Sequence, residues 1–303
     1  MVVKYGRMDS LDKIREAREF LEKSGIDDAG REAELIISYC LGIDRLILYR
    51  DNPKISQEQI SEIEEFLKRR SKREPLQYIL GYTEFHGLKI KVARGILIPR
   101  PETELLAEEA IKVVKIQRIN ASSPPPPPLG KGGMGGGVAI LDLCTGSGCI
   151  ALALAKEFPY AEAYGTDSSQ VAMAYAKENA AINGIKNATF LRGNLFEPVK
   201  KPATFNLIVS NPPYIKKNDI KMLQPEIKDW EPAEALDGGE DGLDYYRVIT
   251  PESKRYLREG GYLMFELGME QADAVRKMVE DAGFIDISAI KDFAGIERIL
   301  VAK

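Results

Sequence analysis

Asn211-Pro212-Pro213-Tyr214 directly follow the apolar run FNLIVS, and the Gly-rich segment DLCTGSG lies upstream of both. An amide or exocyclic base nitrogen is a poor nucleophile, because its lone pair is delocalised into a neighbouring π-system. An enzyme that methylates such a nitrogen must hold it in line with the methyl donor. The Asn211 side-chain oxygen and the Pro212 carbonyl can accept its two N–H bonds and so favour a nitrogen turning tetrahedral. Pro213 stiffens the loop, and Tyr214 offers a face for the planar group. The proton becomes acidic only as the methyl is transferred, so no strong base is obligatory, and the loop contains no Asp, Glu or His. The bland alternative for such a tetrapeptide is a rigid turn after a buried strand. Its place after a Gly-rich turn favours the chemical reading.

DLCTGSGCIA puts Gly146 and Gly148 where a strand turns into a helix, so backbone can approach a ligand and the helix N-terminus can face an anion. Nicotinamide and flavin enzymes share the G-x-G-x-x-A pattern. Paired with NPPY, it indicates S-adenosyl-L-methionine, whose methionine carboxylate is the anion; Asp142 and the Thr145 and Ser147 hydroxyls add to that reading. Asp167 follows Gly146 by 21 residues, where a carboxylate can accept bonds from ribose hydroxyls. A helix N-cap at Asp167 or Ser168 is the structural alternative. Asn194, Leu195 and Phe196 end the third strand, one polar side chain with apolar walls suited to adenine.

These segments need elements to carry them. The first 75 residues show helical periodicity, with stripes Leu11-Ile14-Ala17-Leu21, Ala33-Ile36-Ile37-Cys40-Leu41 and Ile60-Ile63-Phe66-Leu67. Ser56 and Gln59 form a capping-box pattern, and Gly25 and Gly42 stand at helix stops. Residues 76–100 read as a linking β-hairpin that turns at His86-Gly87. A helix from Glu102 to Arg118 follows, with Leu105, Leu106, Ala110 and Val113 as its apolar stripe. Residues 121–137 are a Pro/Gly-rich insertion expected to be disordered. From Val138, strands and helices alternate. The last two strands are joined too tightly for a crossover helix and pair antiparallel. By topological analogy the expected fold over 101–303 is α/β, a Rossmann-like seven-stranded domain of the class I SAM-dependent methyltransferase type.

A net charge of −4 and a pI near 5.5 argue against a protein devoted to neutralising phosphates. Three cysteines (Cys40, Cys144, Cys149) and one histidine give neither a disulfide framework nor a metal site. His86 reads as a turn residue. The acidic charges of the Gly-rich stretch after Trp230 read as solvated, on a surface loop near the NPPY mouth. No apolar run is long enough to span a bilayer, and the N-terminus lacks a targeting pattern, so the expectation is a cytoplasmic protein, a monomer by default.

Taken together, REPLQYILGYTEFHGLKI, LIPRPETELL, LDLCTGSGCIALALA, SNPPYI, EPAEALDGGEDGLDYYR and KDFAGIERILV resemble the HemK/PrmC family of protein-(glutamine-N(5)) methyltransferases, in family order and over nearly the whole chain. The resemblance implies methylation of the glutamine in the Gly-Gly-Gln loop of class 1 peptide chain release factors, a step bearing on translation termination, with S-adenosyl-L-methionine as donor. The helical domain and hairpin would help to grasp the protein substrate. By the same resemblance Cys144, Thr145, Gly146, Ser147, Gly148, Asp167, Asn194, Leu195 and Asn211 would bind the cofactor. Asn211, Pro212, Pro213 and Tyr214 would clamp the glutamine. Cys144 stands where the family usually has glycine, and Leu195 where some relatives carry an aromatic. Sister enzymes that methylate a ribosomal-protein glutamine share NPPY, but PRPETE resembles the release-factor branch. DNA and RNA methyltransferases of exocyclic amines use related loops, and the acidic balance weighs against direct nucleic-acid binding. A non-catalytic protein on the same fold is the third alternative; the intact turn and NPPY weigh against it.

Overall fold

The structure, a computed structural model, describes residues 8–120, 137–200 and 202–303. The Pro/Gly-rich stretch expected over 121–137 lies outside the described residues apart from Gly137. The chain divides into two compact units, one of the residues up to Gly81 with Gln224–Trp230, the other of Tyr82–Leu223 with Glu231–Lys303.

The helical unit holds α1 (Ser10–Lys23), α2 (Ala29–Leu41), α3 (Arg45–Asp51), α4 (Gln57–Arg70) and α5 (Leu76–Leu80). Its core is the set of stripes expected from periodicity: Ile14, Ala17 and Leu21 meet Ala33, Ile36, Ile37, Ile63 and Leu67, each Ile and Leu contributing about 1.5–3 kcal/mol on burial. Ser56 and Gln59 form the reciprocal capping box at the start of α4, and Gly42 closes α2 in the left-handed region. The unit ends at Gly81 rather than Pro75. Residues 76–80 form a helix instead of entering the hairpin, because Leu76 joins this core. The short α9 (Pro225–Lys228) also belongs here. Its Glu226 accepts from Arg70 at 3.0 Å and Arg73 at 2.7 Å, and Arg70 also pairs with Glu32.

In the larger unit, β1 (Tyr82–Phe85) and β2 (Leu88–Lys91) form the antiparallel hairpin. His86 and Gly87 both take positive φ (48° and 68°), as a two-residue primed turn requires. The hairpin is no free linker. On α8 (Gln170–Ile182), Asn179 exchanges hydrogen bonds with the Lys91 backbone and the adjoining Asn183 does the same with Lys89.

The sheet comprises β3 (Ala139–Leu143), β4 (Glu162–Asp167), β5 (Ala188–Arg192), β6 (Phe205–Ser210), β7 (Leu257–Glu266), β8 (Ser288–Lys291) and β9 (Glu297–Ala302), ordered β5-β4-β3-β6-β7-β9-β8. Only β9 runs antiparallel to its neighbours. This is the expected Rossmann-like order, with β9 inserted between β7 and β8. The order reverses between β3 and β6, and ligands of such sheets bind beyond the strand carboxyl ends at that switch point. Every residue of β6 is buried, as befits a central parallel strand.

Helix α6 (Pro101–Asn120) precedes β3, while α7 (Cys149–Glu157), α10 (Asp244–Tyr256) and α11 (Ala272–Asp281) complete the layers. The buried face of α6 differs from the expected stripe: Thr103, Leu106, Ala107, Ala110, Ile111 and Val114 point inward, while Leu105 and Val113 are half-buried. The rotation brings a hydroxyl into the core.

Candidate active site

A cavity of about 450 Å3 opens at the carboxyl ends of β3, β4, β5 and β6, within the size range of small-molecule sites. Cys144, Gly146, Asp167, Asn194, Leu195 and Asn211 line it, together with Pro213. Thr145, Ser147 and Gly148 do not line it and instead build the turn from behind. The Thr145 hydroxyl donates to Asp142 Oδ2 at 2.5 Å, and the Ala151 N–H reaches the same oxygen at 3.2 Å. The Ser147 carbonyl accepts from Asn179, and Gly148 caps α7 with φ of 82°. Cys144 has φ of 57°, a conformation where glycine is free of Cβ strain.

Asp167 ends β4 with both oxygens engaged: Oδ2 accepts from Gly146 N–H at 3.0 Å and Oδ1 from Ser169 N–H at 2.9 Å. The helix cap itself is Ser169, whose hydroxyl accepts from Ala172 N–H, so Asp167 serves the turn and the cavity rather than α8. Burial raises its carboxyl above the usual range, while the two N–H bonds oppose the rise. Asp142, fully buried, is pushed up to about 7 by desolvation, against the Thr145 and Ala151 bonds and with a further rise from Asp167. Burial raises the Cys144 thiol and lifts Cys149 to about 12, so neither is poised as a nucleophile. Phe196 stacks on Tyr256 at 4.6 Å within the core rather than on the cavity wall. Leu195 is the apolar residue that this segment gives the cavity.

Pro212 and Tyr214 are likewise not among the lining residues. The NPPY loop is fastened from behind. Asn211 Nδ2 donates to Thr103 Oγ1 at 3.1 Å, leaving the amide oxygen for the cavity side. The Tyr214 hydroxyl donates to Glu266 Oε1 at 3.2 Å, and the Tyr214 carbonyl accepts from Gln271 Nε2 at 2.9 Å. Burial raises the Tyr214 phenol, with Glu266 adding to the rise. The stretch 236–242 runs along the same loop: Ile215 N–H donates to Leu236, Gly238 N–H to Ile215, and Lys217 N–H to Gly239. A Cβ on Gly238 would lie 2.7 Å from Tyr214 Cα, and one on Gly242 2.4 Å from the Tyr214 carbonyl oxygen. Glycine is what lets these backbones touch.

The expectation of solvated charges in this stretch fails at Glu231. It is 6% exposed, and both its oxygens take Arg100 Nη2, at 2.7 and 2.8 Å. That pair ties the segment bearing Ile96 and Leu97 to the one bearing Pro232, Glu234 and Ala235, and these five residues also line the cavity. Sequence reasoning missed this wall, Tyr245 beside it, and the Thr103–Glu266 support. Buried Thr103 at helical spacing from Leu106, Ala107 and Ala110 was the available signal for that support.

The site therefore offers an apolar-walled slot with a carboxylate at the β4 end and, at the β6 end, a side-chain amide oxygen held in place. Residues 12–81 match the PrmC N-terminal domain family, and residues 136–227 match the methyltransferase small domain family. The release factor glutamine methyltransferase of Thermodesulfovibrio yellowstonii is 46% identical over 294 residues, covering 97% of this chain and 98% of that protein. The protein of the same name from Geobacter sulfurreducens is 43% identical over 93% of this chain and 92% of its own length. Among solved structures, the hMettl16 catalytic domain in complex with the MAT2A 3'UTR hairpin 6 matches with a TM-score of 0.54 at 12% identity, covering 82% of each chain, a likeness of fold. With nearly end-to-end similarity to such relatives added to a methyltransferase fold and an NPPY loop at its switch point, the chain belongs to the release factor glutamine methyltransferase family.

Proposed function

We propose that this enzyme transfers a methyl group from S-adenosyl-L-methionine to the side-chain amide nitrogen of the glutamine in the Gly-Gly-Gln motif of class 1 peptide chain release factors. The single observation that carries the reading is Asn211. It lines the cavity while its Nδ2 is committed to Thr103, which leaves Oδ1 to accept an N–H of the incoming amide. The curated relatives by name, and NPPY by chemistry, support the same substrate class.

The cavity fits the cofactor in size and lining. Asp167 would accept from the ribose, Asn194 and Leu195 would flank adenine, and the Cys144–Gly146 backbone would face the methionine portion. The bound cofactor supplies an electrophilic methyl group on a sulfonium. The protein's part is to orient the amide nitrogen toward that methyl: Asn211 Oδ1 and the Pro212 carbonyl accept its two N–H bonds, and the buried Pro212-Pro213 pair keeps the loop from yielding. As the nitrogen is methylated one N–H proton becomes acidic and passes to solvent, so no base is needed. The helical unit takes part in recognising the release factor, and the protein works in the cytoplasm. Among the described residues no helix is long and apolar enough to cross a membrane.

The test is peptide mass spectrometry of a release factor after incubation with enzyme and S-adenosyl-L-methionine. One methyl on the Gly-Gly-Gln glutamine is expected. An unmodified glutamine in the presence of demonstrated cofactor binding would move the substrate elsewhere.

A further inference from the structure

One side chain of α8 that the chemistry above does not use joins two parts of the cavity lining from behind. Ala172, Ala176 and Asn179 are all buried and fall on one face of α8. Ala172 lines the cavity. Ala176 lies against the Gly-rich turn, where a Cβ on Gly148 would stand 3.1 Å from Ala176 Cβ. Asn179 is 0% exposed, and its amide is fully engaged. Nδ2 donates to the Ser147 carbonyl at 3.0 Å and to the Lys91 carbonyl at 3.2 Å, while Oδ1 accepts from the Lys91 N–H at 2.7 Å. A carboxamide has two hydrogens and one acceptor oxygen, and here all of them go to backbone.

Both backbones that it joins lead directly into the cavity. Ser147 adjoins Gly146, a lining residue. Lys91 ends β2, and the chain beyond it runs through buried Val92 to Gly95, Ile96 and Leu97, which line the cavity as well. Gly95 in turn lies beside α8, an added Cβ there standing 3.6 Å from Val171 Cγ1. We infer that Asn179 is a positioning residue for cofactor binding, one that sets the register of the Gly-rich turn against the wall formed by residues 95–97. Removing its amide takes a partner from three backbone groups at once, the Ser147 carbonyl and the Lys91 N–H and carbonyl. Buried groups left in that way are costly, so turn and wall shift apart to find other partners. The apparent affinity for the cofactor then falls with the fraction of molecules that still hold the two in register. The Asn211 clamp stands on other segments, so transfer from a filled site is left intact.

Asn183 supplies the contrast. Lys89 and Lys91 stand two apart on β2 and present their backbone groups to the same edge of the strand. Asn183 makes with Lys89 the pair of bonds that Asn179 makes with Lys91. Its remaining hydrogen, however, goes to the Asn179 carbonyl at 2.8 Å and not to the turn. Both asparagines therefore fasten the hairpin to α8, and of the two only Asn179 also holds the Gly-rich turn.

This inference rests on the cavity being the S-adenosyl-L-methionine site, and the experiment separates the two. Affinity for S-adenosyl-L-methionine is measured calorimetrically, well below each protein's melting temperature, for wild type, N179L, N179S and N183A. Single-turnover methylation of a release factor is followed for each at low and at saturating cofactor. N179L, similar in shape but without polar atoms, should bind the cofactor about 10- to 100-fold more weakly. Its transfer should be slow at low cofactor and within about threefold of wild type at saturation. N183A loosens the hairpin without touching the turn, so it should melt earlier yet keep its cofactor affinity within about threefold of wild type. N179L binding the cofactor within about twofold of wild type, N183A weakening it as much as N179L, or a rate in N179L that stays depressed at saturation would each overturn the inference. Where N179L does not fold, N179S, too short to span all three bonds, is judged by the same criteria. A wild type that binds no S-adenosyl-L-methionine would remove the site and the inference with it, whereas tight binding by wild type beside a normal N179L leaves the site standing and rejects only its support.

Discussion

The Gly-rich turn and the NPPY loop border the same cavity but are held by contacts of different reach. In the turn, Asp142 is bonded to Thr145 and Ala151, three and nine positions away, and Gly146 to Asp167, 21 positions away. The NPPY loop depends on Thr103, 108 positions from Asn211, and on Glu266 and Gln271, 52 and 57 positions from Tyr214. Gly238 and Gly242 add the close backbone approach. One region is a local backbone construction that several cofactors could use. The other is a loop of fixed shape whose single polar side chain at the cavity is aimed by the rest of the unit. Substitutions in the first should act on cofactor affinity or stability, and substitutions around the second on the rate of transfer.

The sharpest division is expected from Asn211→Ala, which should lower the rate of transfer on the order of 10²–10³-fold while the turn keeps its cofactor affinity. A parallel loss of affinity, seen by calorimetry, would mean that the two regions do not act separately. Gly242→Ala comes next. Its new Cβ meets both the Tyr214 carbonyl and Gln271 Nε2, at 2.6 Å, in a backbone with φ of 79°. Strain and overpacking should cost roughly 2–4 kcal/mol in thermal unfolding and displace NPPY, lowering the rate as well. Wild-type stability and rate together would show that the loop does not depend on this approach.

Asp142 makes the turn's local character testable by pH. Its folded value of about 7 lies above the ordinary 3.8, so its stabilising contribution is fully present below pH 3.8 and is lost as pH rises through 7. Asp142→Asn cannot ionise, and the apo-protein should gain roughly 2–4 kcal/mol over wild type at pH 8, with the gain vanishing near pH 4. A difference in melting temperature that stays constant with pH would contradict this. The smallest effect belongs to Cys144→Gly. Relief of the strained φ of 57° is offset by the entropy of glycine, so stability should move by less than about 1 kcal/mol. Cofactor affinity should persist, because a backbone contact needs no side chain; a tenfold loss would assign the thiol a contact of its own.

What could be read from sequence follows the same division. The helical stripes, the Ser56–Gln59 box, the strand alternation and the Gly-rich turn are regularities of neighbours, and in the structure Ile36, Ile37 and Leu67 are buried as their spacing demands. Cys144, Asp167 and Asn194 line the cavity for the same reason: Cys144 follows β3, Asp167 ends β4 and Asn194 stands two residues past β5. The rest depends on contacts that no local pattern encodes. Tyr214 looked like a platform for the substrate, but its hydroxyl is held by Glu266 and it does not line the cavity. Glu231 looked solvated until Arg100, 131 positions away, closed over it. The hairpin looked like a bridge between domains because the side-chain amides of Asn179 and Asn183 that bind it lie 88 and 94 residues further along. The unit boundary shifted to Gly81 because Leu76 found its core partners among α1, α2 and α4.

The central claim is that Asn211 orients the substrate amide for methyl transfer without being needed to hold the cofactor. One measurement addresses it directly: single-turnover transfer of labelled methyl from S-adenosyl-L-methionine to the Gly-Gly-Gln glutamine, for wild type and N211A, with the bound cofactor quantified in the same samples. The account predicts equal cofactor occupancy, a single methyl on that glutamine with wild type, and essentially none with N211A. Comparable methylation by the variant, or loss of occupancy in proportion to rate, would contradict it.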